Sequence, residues 1–188
     1  MRKIISFMHV SLDGFTGGPN GEMDWIRVDS ELFELASQAT EMSDLAIYGR
    51  VTWEMMDGYW PTAGDSPNAS KHDKEHSAWY NKVEKIVLSK TLSGKSIPNA
   101  TIISDNVAPQ IRGVKEKPGK QIVMFGSPSA VRLLIKENLV DEFWLFVNPV
   151  LLGKGIPMFP ALEERKSLEL LEEKRFKNGV ILLKFSVK

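Results

Sequence analysis

A chain of 188 residues, 43% hydrophobic and 26% charged, has the length and balance of an ordinary globular domain with a proper core. Its 24 basic and 24 acidic side chains cancel, so it lacks the electrostatic footprint of a nucleic-acid or anionic-membrane binder. The absence of cysteine excludes disulfides, thiolate nucleophiles and cysteine-ligated metals.

In chain order, "KIISFMHVSL" is short, apolar and broken by Asp13-Gly14, the pattern of a buried strand. It turns polar too soon for a signal peptide, and no apolar run could span a bilayer, so a soluble cytoplasmic protein is expected. "DGFTGGPNGEMDW" carries four glycines and a proline in thirteen residues and reads as a long loop. Ser30 or Asp29 can cap the helix "SELFELASQATEM", with Leu32, Leu35, Ala36, Ala39 and Met42 at helical spacing. "DLAIYG" is a second strand and "VTWEMM" a short helix. "PTAGDSPNASKHDKEH" is polar and reads as an exposed excursion before a helical turn at "SAWYNKV".

Strands follow at "EKIVLS", "ATIISD" and "KQIVMFG", with amphipathic helices at "VAPQIRGVKEK" and "SPSAVRLLIKENL". "DEFWLFVNPVLLG" is a long apolar strand that Pro149 bends or ends. The last two strands flank Asn178-Gly179, a strong hairpin signal. Strand and helix alternate for two-thirds of the chain and strands dominate the rest. The expectation is one α/β domain over residues 1–188, a mostly parallel sheet extended by an antiparallel C-terminal hairpin.

Ligands of open α/β sheets bind beyond the carboxyl ends of parallel strands. Four stretches lie at such ends: Ser11–Gly14, Gly49–Thr52, Leu88–Thr91 and Gly126–Ser129. "GRVT" and "GSPS" precede helices and combine glycine, hydroxyls and, in the first, an arginine, the chemistry of a phosphate site. A plainer reading has Thr52 and Ser129 only capping helices. "HDKEH" matches a zinc-peptidase spacing, yet its polar surroundings suit a solvated segment. Trp53, Trp60, Trp79 and Trp144 read as core or interface aromatics.

"SLDGF", "YGRVTWE", "IVLSKTL" and "VMFGSPSAVRLLIKENLVDEFWLFVNPVLLGKGIPMF" together resemble the dihydrofolate-reductase-like superfamily, and within it the reductase domain of the riboflavin-biosynthesis deaminase-reductase. The resemblance covers essentially the whole chain and implies a three-layer fold, a standalone member without the deaminase, a homodimer and NADPH. It implies that Gly49, Arg50 and Thr52 contact the cofactor phosphates, and that Leu88, Ser89 and Lys90 close around the adenosine 2′-phosphate. Gly126 and Ser127 match a paired-glycine turn, joined by a cis peptide in dihydrofolate reductases, with serine here replacing the second glycine. The glycine-rich loop matches a mobile lid, with Trp25 near the nicotinamide. Asp13 and Glu31 are the candidate substrate-orienting or acidic groups. The implied reaction reduces the ribosyl group of 5-amino-6-(5-phosphoribosylamino)uracil, a small heterocyclic substrate. Two alternatives keep the fold: a non-catalytic NADP(H)-binding sensor or stress protein, and a dihydrofolate or pterin reductase. No metal is expected.

Overall fold

The apolar segments pair into one eight-stranded sheet in the computed structural model, which describes residues 1–159, 162 and 164–188. Its strands are β1 (Ile4–Ser11), β3 (Ser43–Gly49), β4 (Glu84–Leu88), β5 (Ala100–Ile103), β6 (Gln121–Phe125), β7 (Glu142–Asn148), β9 (Leu168–Arg175) and β10 (Ile181–Val187). They lie in the order β5-β4-β3-β6-β1-β7-β10-β9. All neighbours from β5 to β7 run parallel, and β10 and β9 are antiparallel, as the hairpin turn requires. β1 sits between β6 and β7 and is covered on both faces, so it carries an almost unbroken apolar run. Gly179, at φ 89°, makes the Asn178-Gly179 turn, with the Asn178 side chain accepting from the Val180 N–H.

Helices form a layer on each face. On one side lie α1 (Ser30–Glu41) and α4 (Lys71–Lys82), with α2 (Arg50–Asp57) and α3 (Trp60–Ala63) at their edge. On the other lie α5 (Val107–Glu116) and α6 (Pro128–Lys136). Asp29 caps α1 by accepting from Leu32 N at 3.0 Å. The expected stripe holds for Leu32, Leu35, Ala36 and Ala39; Met42, just past the last turn, is exposed and Thr40 is buried instead.

The sequence expectation needs two corrections here. The glycine-rich loop contains a short strand, β2 (Phe15–Gly17), which pairs with β8 (Ile156–Pro157). The supposed excursion contains most of α3 and the first half of α4, which starts on a Ser70–Asp73 capping box and runs on through the expected helical turn. The near-continuous apolarity of β7 is also met within the chain. Phe143 joins one core cluster, and Trp144 and Phe146 join the other, so this strand makes no demand for a second subunit. Edge strand β9 is open on both faces, exposing Leu168, Leu170 and Leu171.

Candidate active site

The chain leaves β1 toward α1 on one face of the sheet and leaves the adjacent β6 toward α6 on the other. Divergence of neighbouring strands at their carboxyl ends opens a crevice at that point. A cavity of about 500 Å³ lies there. Its floor is Phe7, Met8 and His9 of β1 with Phe125 and Gly126 at the end of β6. Residues of α1, α2, α4 and the first turns of α6 form the walls, and Thr16, Gly17, Met23, Ile26 and Ile156 cover it.

One end is built from two helix starts. Gly49 and Ser127 precede α2 and α6, and neither helix has a side-chain cap, so N–H groups of both first turns stay available. The two starts are locked together. Gly49 N–H donates to Ser127 Oγ at 2.9 Å, and a Cβ on Gly49 would stand 3.3 Å from Ser129 Oγ. Gly126 and Ser127 both take the left-handed conformation, φ 59° and 62°, and the described residues contain no cis peptide. Thr52, Ser129 and Arg132 line this end, and Arg132 has no ion pair or hydrogen bond among the described residues. Paired positive helix ends, two hydroxyls and a free guanidinium fit the phosphates of a dinucleotide.

The other end is aromatic and imidazole-rich. Phe33 stacks on His72 with centroids 4.2 Å apart, Trp60 lies 4.0 Å from His76, and Phe125 lies 5.5 Å from it. α2 connects the two ends, since its Met56 Sδ accepts from Trp60 Nε1 at 3.1 Å. All three histidines of the chain line the cavity. Burial pushes His76 down to about 3 and His9 to about 4, and lowers His72 as well, so the imidazoles stay neutral near pH 7. "HDKEH" is therefore a packed helical face rather than a solvated segment. Glu75 points away to Lys71, and the described residues hold no group of three or more metal-ligating side chains.

The structure places Gly49, Thr52, Gly126 and Ser127 on the cavity wall and leaves the other candidates off it. Arg50 pairs with Glu54, one helical turn on, at 2.6 Å; the face of α2 that meets the cavity carries Val51, Thr52, Met55 and Met56. Leu88 pairs with Gly49 in register, so Ser89 and Lys90 stand one strand further out. There Ser89 Oγ accepts from Leu92 N. The Asp13 carboxylate is held by Ser11 Oγ at 2.6 Å and by the N–H groups of Gly153 and Leu152 at 2.7 and 3.1 Å. These bonds, the Ser11 one foremost, lower its pKa, which suits a loop clamp and not an acid. Glu31 pairs with Lys174 at 3.4 Å and Lys177 at 3.7 Å, while its neighbours Leu32 and Phe33 face the cavity. Trp25 donates to Glu22 O and lies off the wall, which takes Met23 and Ile26 instead. Sequence reasoning misses Arg132 and sees in His72 and His76 only a zinc-peptidase spacing on a solvated segment. A basic residue one turn into the helix after "GSPS", and two histidines four apart after a capping box, were the available signals.

The crystal structure of a pyrimidine reductase-like protein from Corynebacterium diphtheriae superposes over 100% of this chain and 92% of its own, with a TM-score of 0.69 at 14% identity. A diaminohydroxyphosphoribosylaminopyrimidine deaminase/5-amino-6-(5-phosphoribosylamino)uracil reductase from Thermotoga maritima does so over 100% of this chain and 57% of its own, with a TM-score of 0.71 at 13% identity. In sequence, the uncharacterized Bacillus subtilis (strain 168) protein YyaP is 33% identical over 183 residues, 96% of this chain and 92% of YyaP. The family description "RibD C-terminal domain" matches residues 2–182, and the chain belongs to that family of reductase-like domains.

Proposed function

We propose that the protein is a nicotinamide-dependent reductase, with NADPH as the cofactor, that reduces an imine or carbonyl on a small heterocyclic substrate. The observation that carries this reading is the junction of α2 and α6. Two uncapped helix starts meet across the Gly49–Ser127 hydrogen bond, with unpaired Arg132 beside them. Thr52, Ser129 and Arg132 would hold the pyrophosphate, and exposed Lys90, one strand out, is the proposed source of preference for a 2′-phosphate. When bound, the reduced nicotinamide supplies the hydride. The chain's own part is to orient the two reactants and exclude water, which its apolar wall and the Thr16–Val28 cover are built to do. Family membership and the folds of the pyrimidine-reductase-like neighbours support the same reading, with reduction of a ribosylaminopyrimidine as the reaction carried by resemblance.

The test is a titration with NADPH and NADH followed by quenching of tryptophan fluorescence. Arg132→Ala is expected to weaken NADPH by about 1.5–3 kcal/mol, one to two orders of magnitude, as for a lost charge-assisted bond. Arg50→Ala is expected to change it by less than about 0.5 kcal/mol, its charge being already matched by Glu54 at the surface. Equal losses in both variants, or no binding by the unaltered protein, would remove the assignment.

A further inference from the structure

The cavity wall holds a buried group that the phosphate-binding end does not use. His76 is 5% exposed, and neither of its ring nitrogens has a hydrogen-bond partner; His72 Nδ1 is likewise buried and unpartnered. A buried polar atom left without a partner costs roughly 1–3 kcal/mol, so such atoms are normally paired. Both rings face the cavity, where Phe33 stacks on His72 at an interplanar angle of 16° and Trp60 stands edge-on to it at 90°. These mutually packed rings make one aromatic wall, against whose faces and edges a flat ring can pack. The two nitrogens of a neutral imidazole, one donor and one acceptor, point in diverging directions, so a ligand edge meets one of them at a time, and an amide-like edge carries a partner for either.

Charge argues in the same direction. Arg132, on α6, is the one Lys, Arg, Asp or Glu among the described residues that line the cavity. The aromatic end holds no cation to meet a phosphate ester, whose desolvation would go unbalanced there. We propose that the aromatic–imidazole end is the substrate site and takes an uncharged, flat heteroaromatic ring whose amide-like edge hydrogen-bonds His76, in place of a phosphorylated ribosylpyrimidine. This rests on the reductase reading for the identity of the reaction; the binding preference stands on the wall itself.

Three probes separate the possibilities in cofactor-free protein: quinazolin-4(3H)-one, with two rings and an N–H/C=O edge; naphthalene, with two rings and no polar edge; and uridine 5′-monophosphate. Quinazolinone is expected to bind about tenfold or more tighter than either of the others, the scale of one buried hydrogen bond. His76→Phe should bring quinazolinone down to the level of naphthalene, whose own affinity should move less than about threefold, since ring packing is kept. Equal binding of naphthalene, equal or tighter binding of the nucleotide, or a preference that survives in His76→Phe would overturn the proposal. Should that variant not fold, ¹⁵N resonances of the His76 ring in the unaltered protein decide. They should shift with quinazolinone and stay in place with naphthalene, and unmoved resonances overturn the assignment. Because no cofactor is present, the NADPH titration of Arg132→Ala fails or succeeds independently of these measurements.

Discussion

Ser127 combines a backbone penalty with a hydrogen bond. Its left-handed φ of 62° disfavours a side chain by roughly 1–2 kcal/mol, yet its buried Oγ satisfies the Gly49 N–H at 2.9 Å. Ser127→Ala keeps the penalty and orphans the N–H, so a loss of about 1–3 kcal/mol is expected in denaturant unfolding. Ser127→Gly orphans the same N–H and relieves the backbone, so it should be more stable than Ser127→Ala by about 1 kcal/mol. The reverse order would show that the left-handed backbone carries no such penalty, and an unchanged stability in Ser127→Ala would show that the hydroxyl does not hold the turn. The neighbouring arginines show how far residue-level reading reached. "GRVT" marks a turn at the cavity, whose wall takes Gly49 and Thr52. Arg50, however, begins a helix with Glu54 four residues on, a pairing the sequence already contained. The free arginine lies in the other helix, at Arg132.

At the level of elements, the strands, the parallel order and the hairpin were legible because apolar runs and Asn-Gly turns are local signals. The β2–β8 pair was not, since it joins Phe15–Gly17 to Ile156–Pro157 across the chain, where no local pattern reports it. Gly155 makes the pairing possible: a Cβ there would stand 2.2 Å from the Gly17 carbonyl oxygen. Gly155→Ala must displace that backbone, and a loss of about 1–3 kcal/mol is expected, with faster amide exchange over residues 15–17. Gly113→Ala, inside α5 with open space around it, should instead gain about 0.5–1 kcal/mol. Unchanged exchange at residues 15–17 in Gly155→Ala would mean that the cavity cover does not depend on β8. α4 was misread for a different reason: its polar surface hid the buried stripe His76, Ser77 and Tyr80, although Ser70 and Asp73 announced its start.

The whole molecule keeps its histidines neutral at some cost in acid. His76, which faces His72 and Asp73, has its pKa lowered to about 3, and His9 to about 4, against an ordinary value of about 6.5. Because the unfolded chain binds these protons more tightly, stability is full above pH 6.5 and falls as pH drops from there toward 3. About 2 kcal/mol per histidine should be lost at pH 5, measured by urea unfolding, and His76→Phe should remove one share. A flat profile between pH 7 and 5 would mean the rings are hydrated. No helix among the described residues is long and apolar enough to cross a membrane, and Leu168, Leu170 and Leu171 of β9 are exposed away from the cavity. The central claim concerns where a dinucleotide is gripped, and a crystal structure with NADP⁺ tests it most directly. The account places the pyrophosphate between the first turns of α2 and α6, within hydrogen-bond distance of Thr52, Ser129 and Arg132, with the nicotinamide directed toward His76. A pyrophosphate held outside that junction, with Arg132 facing solvent, would contradict it.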